Sequence, residues 1–169
     1  MWQKLAELDN RLSRLSRLGV NDRLTKAVAV ILAHSGDSWF WLLGLLLLWW
    51  LGNEYWKQRA LALGAGILVT ALVVMAIKFT VRRRRPEGQW GQIYRSTDPH
   101  SFPSGHAARS MMLAVMALGL GPPWFGLLLL AWAPLVSLAR VMLGVHYPSD
   151  VIAGMALGAV LGVIVLQFF

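Results

Sequence analysis

Five apolar runs constrain this chain more than any other feature. Residues 60–77, 124–139 and 151–169 contain no Asp, Glu, Lys or Arg, and neither does 110–120. A spanning helix needs about 20 mostly apolar residues, so the first three are near-complete spans and the fourth qualifies if its helix starts near Ser104. The fifth run, 27–51, is interrupted by "HSGDS" at 34–38. Each half is too short to cross alone, so the run reads as one tilted or broken span, with two short segments as the alternative. Turn signals at Gly52-Asn53, Gly121-Pro122-Pro123 and Tyr147-Pro148 separate the runs. The expected fold is an all-α integral membrane protein, a bundle of about five transmembrane helices within residues 21–169.

Composition agrees. At 169 residues the chain allows one domain, and 57% hydrophobic with 14% charged residues is wrong for a soluble one; mean hydropathy is +0.55. Cysteine is absent, which excludes disulfides and thiolate metal sites. The net charge of +8 suits anionic headgroups or a phosphate-bearing substrate. Nucleic acid would fit the sign, but the cations lie in short segments between apolar runs, so no nucleic-acid partner is expected.

Residues 1–20 have a different pattern. Leu5, Leu8, Leu12, Leu15 and Leu18 recur at spacings of three and four, with Lys4, Arg11 and Arg14 away from that stripe. This predicts an amphipathic helix lying in the membrane interface. Packing on the protein's own core is the alternative, and one helix can do both. Acidic Glu7, Asp9 and Asp22 precede the apolar part, which argues against a cleaved signal peptide.

Polar islands flank the spans. In "KFTVRRRRP", Lys78 and Arg85 are two helical turns apart and so share a face if the helix runs on until Pro86 ends it. Taken alone, an arginine run after a span is ordinarily a headgroup anchor. In "HSFPSGHAARS", Ser104 and Gly105 stand at an expected helix start, where free backbone N–H groups and the helix dipole favour an anion. In "ARVMLGVHYPSD", His146 and Asp150 are four apart, as on one helix face, so that Asp150 can hold the imidazole. A helix-capping pair is the plain alternative.

Connectivity brings these islands together. Segments 78–104 and 140–150 are separated by two spans and a tight turn, which puts Lys78, Arg85, Ser104, His106, Arg140, His146 and Asp150 at one membrane face. Three cations with backbone donors describe a pocket for a tetrahedral oxyanion, while two histidines and a carboxylate supply a nucleophile and an acid. Phosphoryl transfer suits the set. Zinc is the chemical rival, but the histidines sit beside basic residues and only Asp150 offers a carboxylate, so no metal and no cofactor are expected.

These segments resemble the type 2 phosphatidic acid phosphatase superfamily, which shares its helical core with vanadium haloperoxidases and bacterial acid phosphatases. "KFTVRRRRP" matches K-x6-RP, "PSGH" matches the second motif, and "ARVMLGVHYPSD" matches SR-x5-H-x3-D except that Ala139 replaces the usual serine. The resemblance implies that His146 attacks phosphorus and forms a phosphohistidine, that Asp150 orients it, and that His106 protonates the leaving oxygen. It further implies that Lys78, Arg85, Arg140, Ser104 and the Gly105 N–H hold the phosphoryl oxygens without a metal. A loose phosphoryl transition state leaves the protein mainly positioning and charge stabilisation to supply.

A site at a membrane face and a basic surface helix point to a lipid phosphate as partner, among membrane lipids and with no obligatory protein partner. The resemblance offers phosphatidylglycerophosphate, phosphatidic acid, undecaprenyl pyrophosphate or a lipid A phosphate. A lipid phosphotransferase and a non-enzymatic anionic-lipid binder are the alternatives. Counting cations would put the site in the cytoplasm. The resemblance implies the extracytoplasmic face of the inner (plasma) membrane, and that expectation is adopted.

Overall fold

The computed structural model describes residues 2–18, 22–86 and 98–169. Among the described residues seven helices follow one another: α1 Trp2–Leu18, α2 Arg23–Ser35, α3 Ser38–Leu51, α4 Glu54–Val81, α5 Gly105–Leu120, α6 Pro123–Met142 and α7 Pro148–Leu166. Among the described residues the rest of the regular structure is a single bridge between Arg84 and His100.

Helix boundaries follow local chemistry. Asp22 caps α2 by accepting from Thr25 N (2.8 Å), Asn53 caps α4 by accepting from Trp56 N (3.3 Å), and Ser104 caps α5 by accepting from Ala107 N (3.4 Å). Helices α6 and α7 open with prolines, whose missing N–H costs nothing in a first turn.

Helices α4, α6 and α7 are long and apolar enough to cross a membrane, and α2 with α3, bent by 55° at their break, passes the same test as one span. Helix α5 has 16 residues, about 24 Å, shorter than a hydrocarbon core of about 30 Å. The expected five spans are therefore an approximate count: three full helices, one broken span and one short central helix. The outer faces carry exposed Leu61, Leu68 and Leu72 on α4, Leu127, Leu128 and Leu135 on α6, and Ile152, Val160 and Val163 on α7. Such all-round hydrophobicity suits lipid rather than water.

The interior is organised around α5, which packs against α4, α6 and α7. Met112, Leu113 and Met116 are fully buried there with Ile67 of α4 and Leu129 of α6. Helix α7 comes close because Gly154, Gly158 and Gly162 form one small-residue stripe; a Cβ on Gly158 would meet the Ala108 carbonyl oxygen at 2.0 Å.

Helix α1 turns an unexpected edge to the protein. Leu8, Leu12 and Leu15 are exposed while Asp9 and Ser13 are buried, and the helix rests on α6 and α7. The side chains of Lys4, Leu5 and Leu18, part of the expected amphipathic pattern, lie outside the described residues, as do residues 87–97.

Candidate active site

The candidate side chains converge where α4 and α6 end, α5 and α7 begin, and α2 breaks from α3. Lys78 and Arg140 occupy the last turns of α4 and α6, where the helix dipole favours cations. Gly105 and Asp150 lie in the first turns of α5 and α7, where it favours anions. A cavity of about 270 Å³ opens between them. Lys78, Asp98, Gly105, His106, Arg109, Arg140 and His146 line its polar end, and Thr70, Ala71, Val74 and Met75 continue the wall along α4. Of the residues expected from sequence, Arg85, Ser104 and Asp150 do not line the cavity.

Two local expectations are corrected. Lys78 and Arg85 do not share a helix face, because α4 ends at Val81, with Arg82 at φ 51 in the left-handed region, well before Pro86. Arg85 arrives instead through the pairing of Arg84 with His100 and of Ser101 N with the Arg83 carbonyl (2.8 Å), which joins the stretch after α4 to the stretch before α5. Nor do His146 and Asp150 share a helix face. His146 precedes α7, and Asp150 sits in its first turn, where Oδ2 accepts from Tyr147 N (2.9 Å).

The turn before α7 places His146. The Arg140 carbonyl accepts from Val145 N (3.1 Å) and His146 N (3.3 Å), and Gly144 at φ 68 supplies the left-handed residue the turn requires. Arg85 Nη1 donates to the Val145 carbonyl (3.0 Å) and to His146 Nε2 (3.3 Å). A guanidinium has no acceptor, so Nε2 presents its lone pair and the ring proton belongs on Nδ1, facing Asp150. Asp150 Oδ2 lies 3.6 Å from Nδ1, longer than a hydrogen bond. His146 is fully enclosed, and burial first, then the charges of Arg85, Arg140 and Lys78, hold its pKa well below the usual 6.5.

Burying cations is costly unless they are paired, and Asp98 supplies the pairing. Its Oδ2 accepts from Arg85 Nη2 (2.7 Å) and from Lys78 Nζ, and its carbonyl accepts from Arg85 Nε (2.7 Å). Burial would raise the Asp98 pKa, but Lys78, Arg85 and His146 outweigh it and hold the carboxyl below its usual value. Ser104 is placed differently from its expected phosphate contact: its N–H donates to the Asp150 carbonyl (3.0 Å) and its hydroxyl caps α5. Ala139, the departure from the motif, lies in an apolar cluster with Ala29, Ala33 and Leu143 and does not line the cavity.

Several site residues were not singled out from sequence. Arg83 Nη1 donates to Asp150 Oδ1 (2.7 Å) and Ser149 Oγ (2.7 Å), while Nη2 donates to Asp9 Oδ2 of α1 (2.7 Å). Asp9 also accepts from Ser149 N (3.0 Å). Asp37, in the break, lies 2.7 Å from His106, and Arg109 donates to the Gly36 carbonyl (2.9 Å). The signals were charged residues inside or beside apolar runs. Among the described residues no three His, Asp or Glu side chains form a metal-ligand set.

The PAP2 superfamily model matches residues 59–169. A decaprenylphosphoryl-5-phosphoribose phosphatase of Mycobacterium tuberculosis is 37% identical over 143 residues, covering 82% of this chain and 77% of its own. An undecaprenyl-diphosphatase of Sulfolobus acidocaldarius is 31% identical over 140 residues, covering 77% of this chain and 64% of its own. The crystal structure of a transmembrane PAP2-type phosphatidylglycerolphosphate phosphatase from Bacillus subtilis superposes with a TM-score of 0.79 at 23% identity, over 98% of this chain and 86% of that one.

Proposed function

This multi-pass membrane chain belongs to the PAP2 superfamily, and we propose that it is a lipid phosphatase that hydrolyses a lipid phosphomonoester or pyrophosphate through a phosphohistidine on His146, without a metal. The observation that carries this reading is the Arg85–His146 contact of 3.3 Å. It leaves a neutral imidazole with its Nε2 lone pair beside the buried cations.

In this reading the phosphoryl group enters the polar end of the cavity, where Lys78, Arg140 and the Gly105 N–H stabilise its oxygens, and Arg85, which Asp98 separates from the cavity, joins them as Asp98 moves aside. The phosphoryl group displaces the Asp98 carboxylate from Lys78 and Arg85. His146 Nε2 attacks phosphorus as the P–O bond to the lipid breaks, and His106 delivers a proton to the departing oxygen. Asp150 supports the imidazole from Nδ1. Water, deprotonated by His106, then splits the P–N bond and releases phosphate. Ser104 contributes by joining the starts of α5 and α7.

The apolar wall supports a lipid substrate. Thr70 lies two helical turns from Lys78 along α4, about 12 Å, so the cavity extends from the charged end towards the apolar interior. The relatives support a prenyl-linked substrate, undecaprenyl pyrophosphate or a prenyl-linked sugar phosphate of the kind named for the mycobacterial relative, while phosphatidylglycerophosphate, phosphatidic acid and a lipid A phosphate rest on the motif resemblance. Helix α1 lies in the membrane interface with Leu8, Leu12 and Leu15 towards lipid, and the site faces the extracytoplasmic side of the inner membrane.

Two histidine variants test the chemistry. His146→Ala should be inactive on every substrate, because it makes the new bond. His106→Ala should lose most activity on a lipid monophosphate, whose alkoxide is strongly basic, and keep much of it on 4-nitrophenyl phosphate, whose leaving group needs no proton. Phosphate found on an added acceptor would identify a phosphotransferase; no phosphate release from any of the lipid phosphates named above would leave a lipid-binding protein.

A further inference from the structure

The HSGDS break lies outside the three motifs of residues 78–150, yet it touches the site. Asp37 stands at the N-cap of α3, where an aspartate ordinarily accepts a hydrogen bond from its own helix. It makes no such bond. Oδ1 lies 2.7 Å from His106 Nε2, and Oδ2 lies 3.0 Å from His34 Nδ1. Both carboxylate oxygens serve imidazoles.

The surrounding chain fixes that contact. Gly36 runs so close to the ring that an added Cβ would meet His106 Cδ2 at 3.3 Å and Val136 Cγ1 at 2.9 Å. Arg109 donates to the Gly36 carbonyl (2.9 Å), and Trp41 Nε1 donates to the Ser35 carbonyl (3.0 Å). Trp132 Nε1 donates to Ser35 Oγ (2.9 Å). Helices α3, α5 and α6 thus all hold the break against one imidazole.

An ionised carboxylate only accepts, so the proton between the two residues belongs on His106 Nε2. That leaves Nδ1 to serve the cavity that His106 lines. We propose that Asp37 is a positioning residue for the general acid, fixing the tautomer and orientation of His106 and balancing the charge of the imidazolium it must form. The proposal rests on the reading of His106 as proton donor. As the ester bond breaks, Nδ1–H passes to the lipid oxygen and the ring becomes neutral. When water attacks the phosphohistidine, its proton returns to Nδ1, and Asp37 neither gains nor loses a proton. Asp37 itself does not line the cavity.

The test compares Asp37→Ala, His106→Ala and the double variant on dioctanoyl phosphatidic acid and 4-nitrophenyl phosphate. The ratio of the two rates is independent of how much of a preparation is folded. In Asp37→Ala the ratio of lipid to nitrophenyl turnover should fall about tenfold or more, through kcat with KM unchanged, since a positioned acid matters only for a basic leaving oxygen. The double variant should be no worse than His106→Ala, because both changes act through one group. Equal loss on both substrates, or losses that multiply, would overturn the proposal. Should Asp37→Ala fail to fold, Asp37→Asn keeps the volume without the charge and is judged by the same ratio. If His106→Ala is itself indifferent to the leaving group, the reading of His106 has failed. If it discriminates and Asp37→Ala does not, only the role of Asp37 has.

Discussion

Arg83 Nη1 lies 2.7 Å from Asp150 Oδ1, so a residue outside the matched motif positions holds the carboxylate that faces His146. The same guanidinium reaches Asp9 of α1 at 2.7 Å and lies 4.1 Å above the Tyr147 ring. The arginine run therefore does more than anchor the chain in headgroups. One of its members joins α1 to Asp150.

Arg83→Ala should lower kcat on the order of tenfold or more, because it leaves the buried Asp150 without its cation and loosens His146. KM should stay nearly constant, as Arg83 does not line the cavity. Arg83→Lys should recover part of the loss. Steady-state kinetics in detergent decide it, and a pure KM effect would mean that Arg83 meets substrate directly.

The acid limb of kcat/KM should lie well below pH 6.5. Burial and the neighbouring cations depress the His146 pKa, so the imidazole stays neutral as pH falls through its ordinary value and protonates only lower. Removing Arg85 removes one of those depressing charges. In Arg85→Ala the limb should therefore move to higher pH, while turnover falls about a hundredfold or more from lost transition-state stabilisation. A pH–rate series on both proteins checks the direction, and an unmoved limb would contradict the assignment of His146.

Asp98 occupies the cations that bind phosphate in the proposed mechanism, and its depressed pKa keeps it ionised throughout the neutral range. A carboxylate competing for Lys78 and Arg85 weakens every other anion there. Asp98→Asn should accordingly tighten inhibition by vanadate, a mimic of the transferring phosphoryl group, several-fold. Weaker inhibition would make Asp98 an organiser of the cations rather than a competitor. The same titration repeated in EDTA should give unchanged turnover, and activity restored by a divalent metal would refute the metal-free mechanism.

Helix α7 starts at the site and ends at Leu166, leaving the carboxyl terminus on the opposite face. With the site extracytoplasmic, a reporter fused after Phe169 should signal from the cytoplasm. A periplasmic signal would place the site in the cytoplasm, as the distribution of Lys and Arg alone suggests.

The sequence determined what depends on neighbouring residues. Apolar runs set the helices, Asp22, Asn53 and Ser104 set their starts, and three short motifs marked the end of the bundle at which charge would gather. Only the tertiary structure decided which charges meet. Asp37 and His106 are 69 residues apart, and Arg83 and Asp150 are 67 apart, so no helical period links them. Their pairing follows from packing, in which α2 breaks against α5 and α1 docks on α7. Even the nearer pairs needed the fold. Helix α4 stops at Val81 with Arg82 left-handed, so Arg85 reaches its place beside His146 through the pairing of Arg84 with His100 rather than along a helix face. Spacing records where a side chain sits along its own axis, but buried charges choose partners by proximity in space, because each must find an opposite charge or a hydrogen bond wherever packing has removed water.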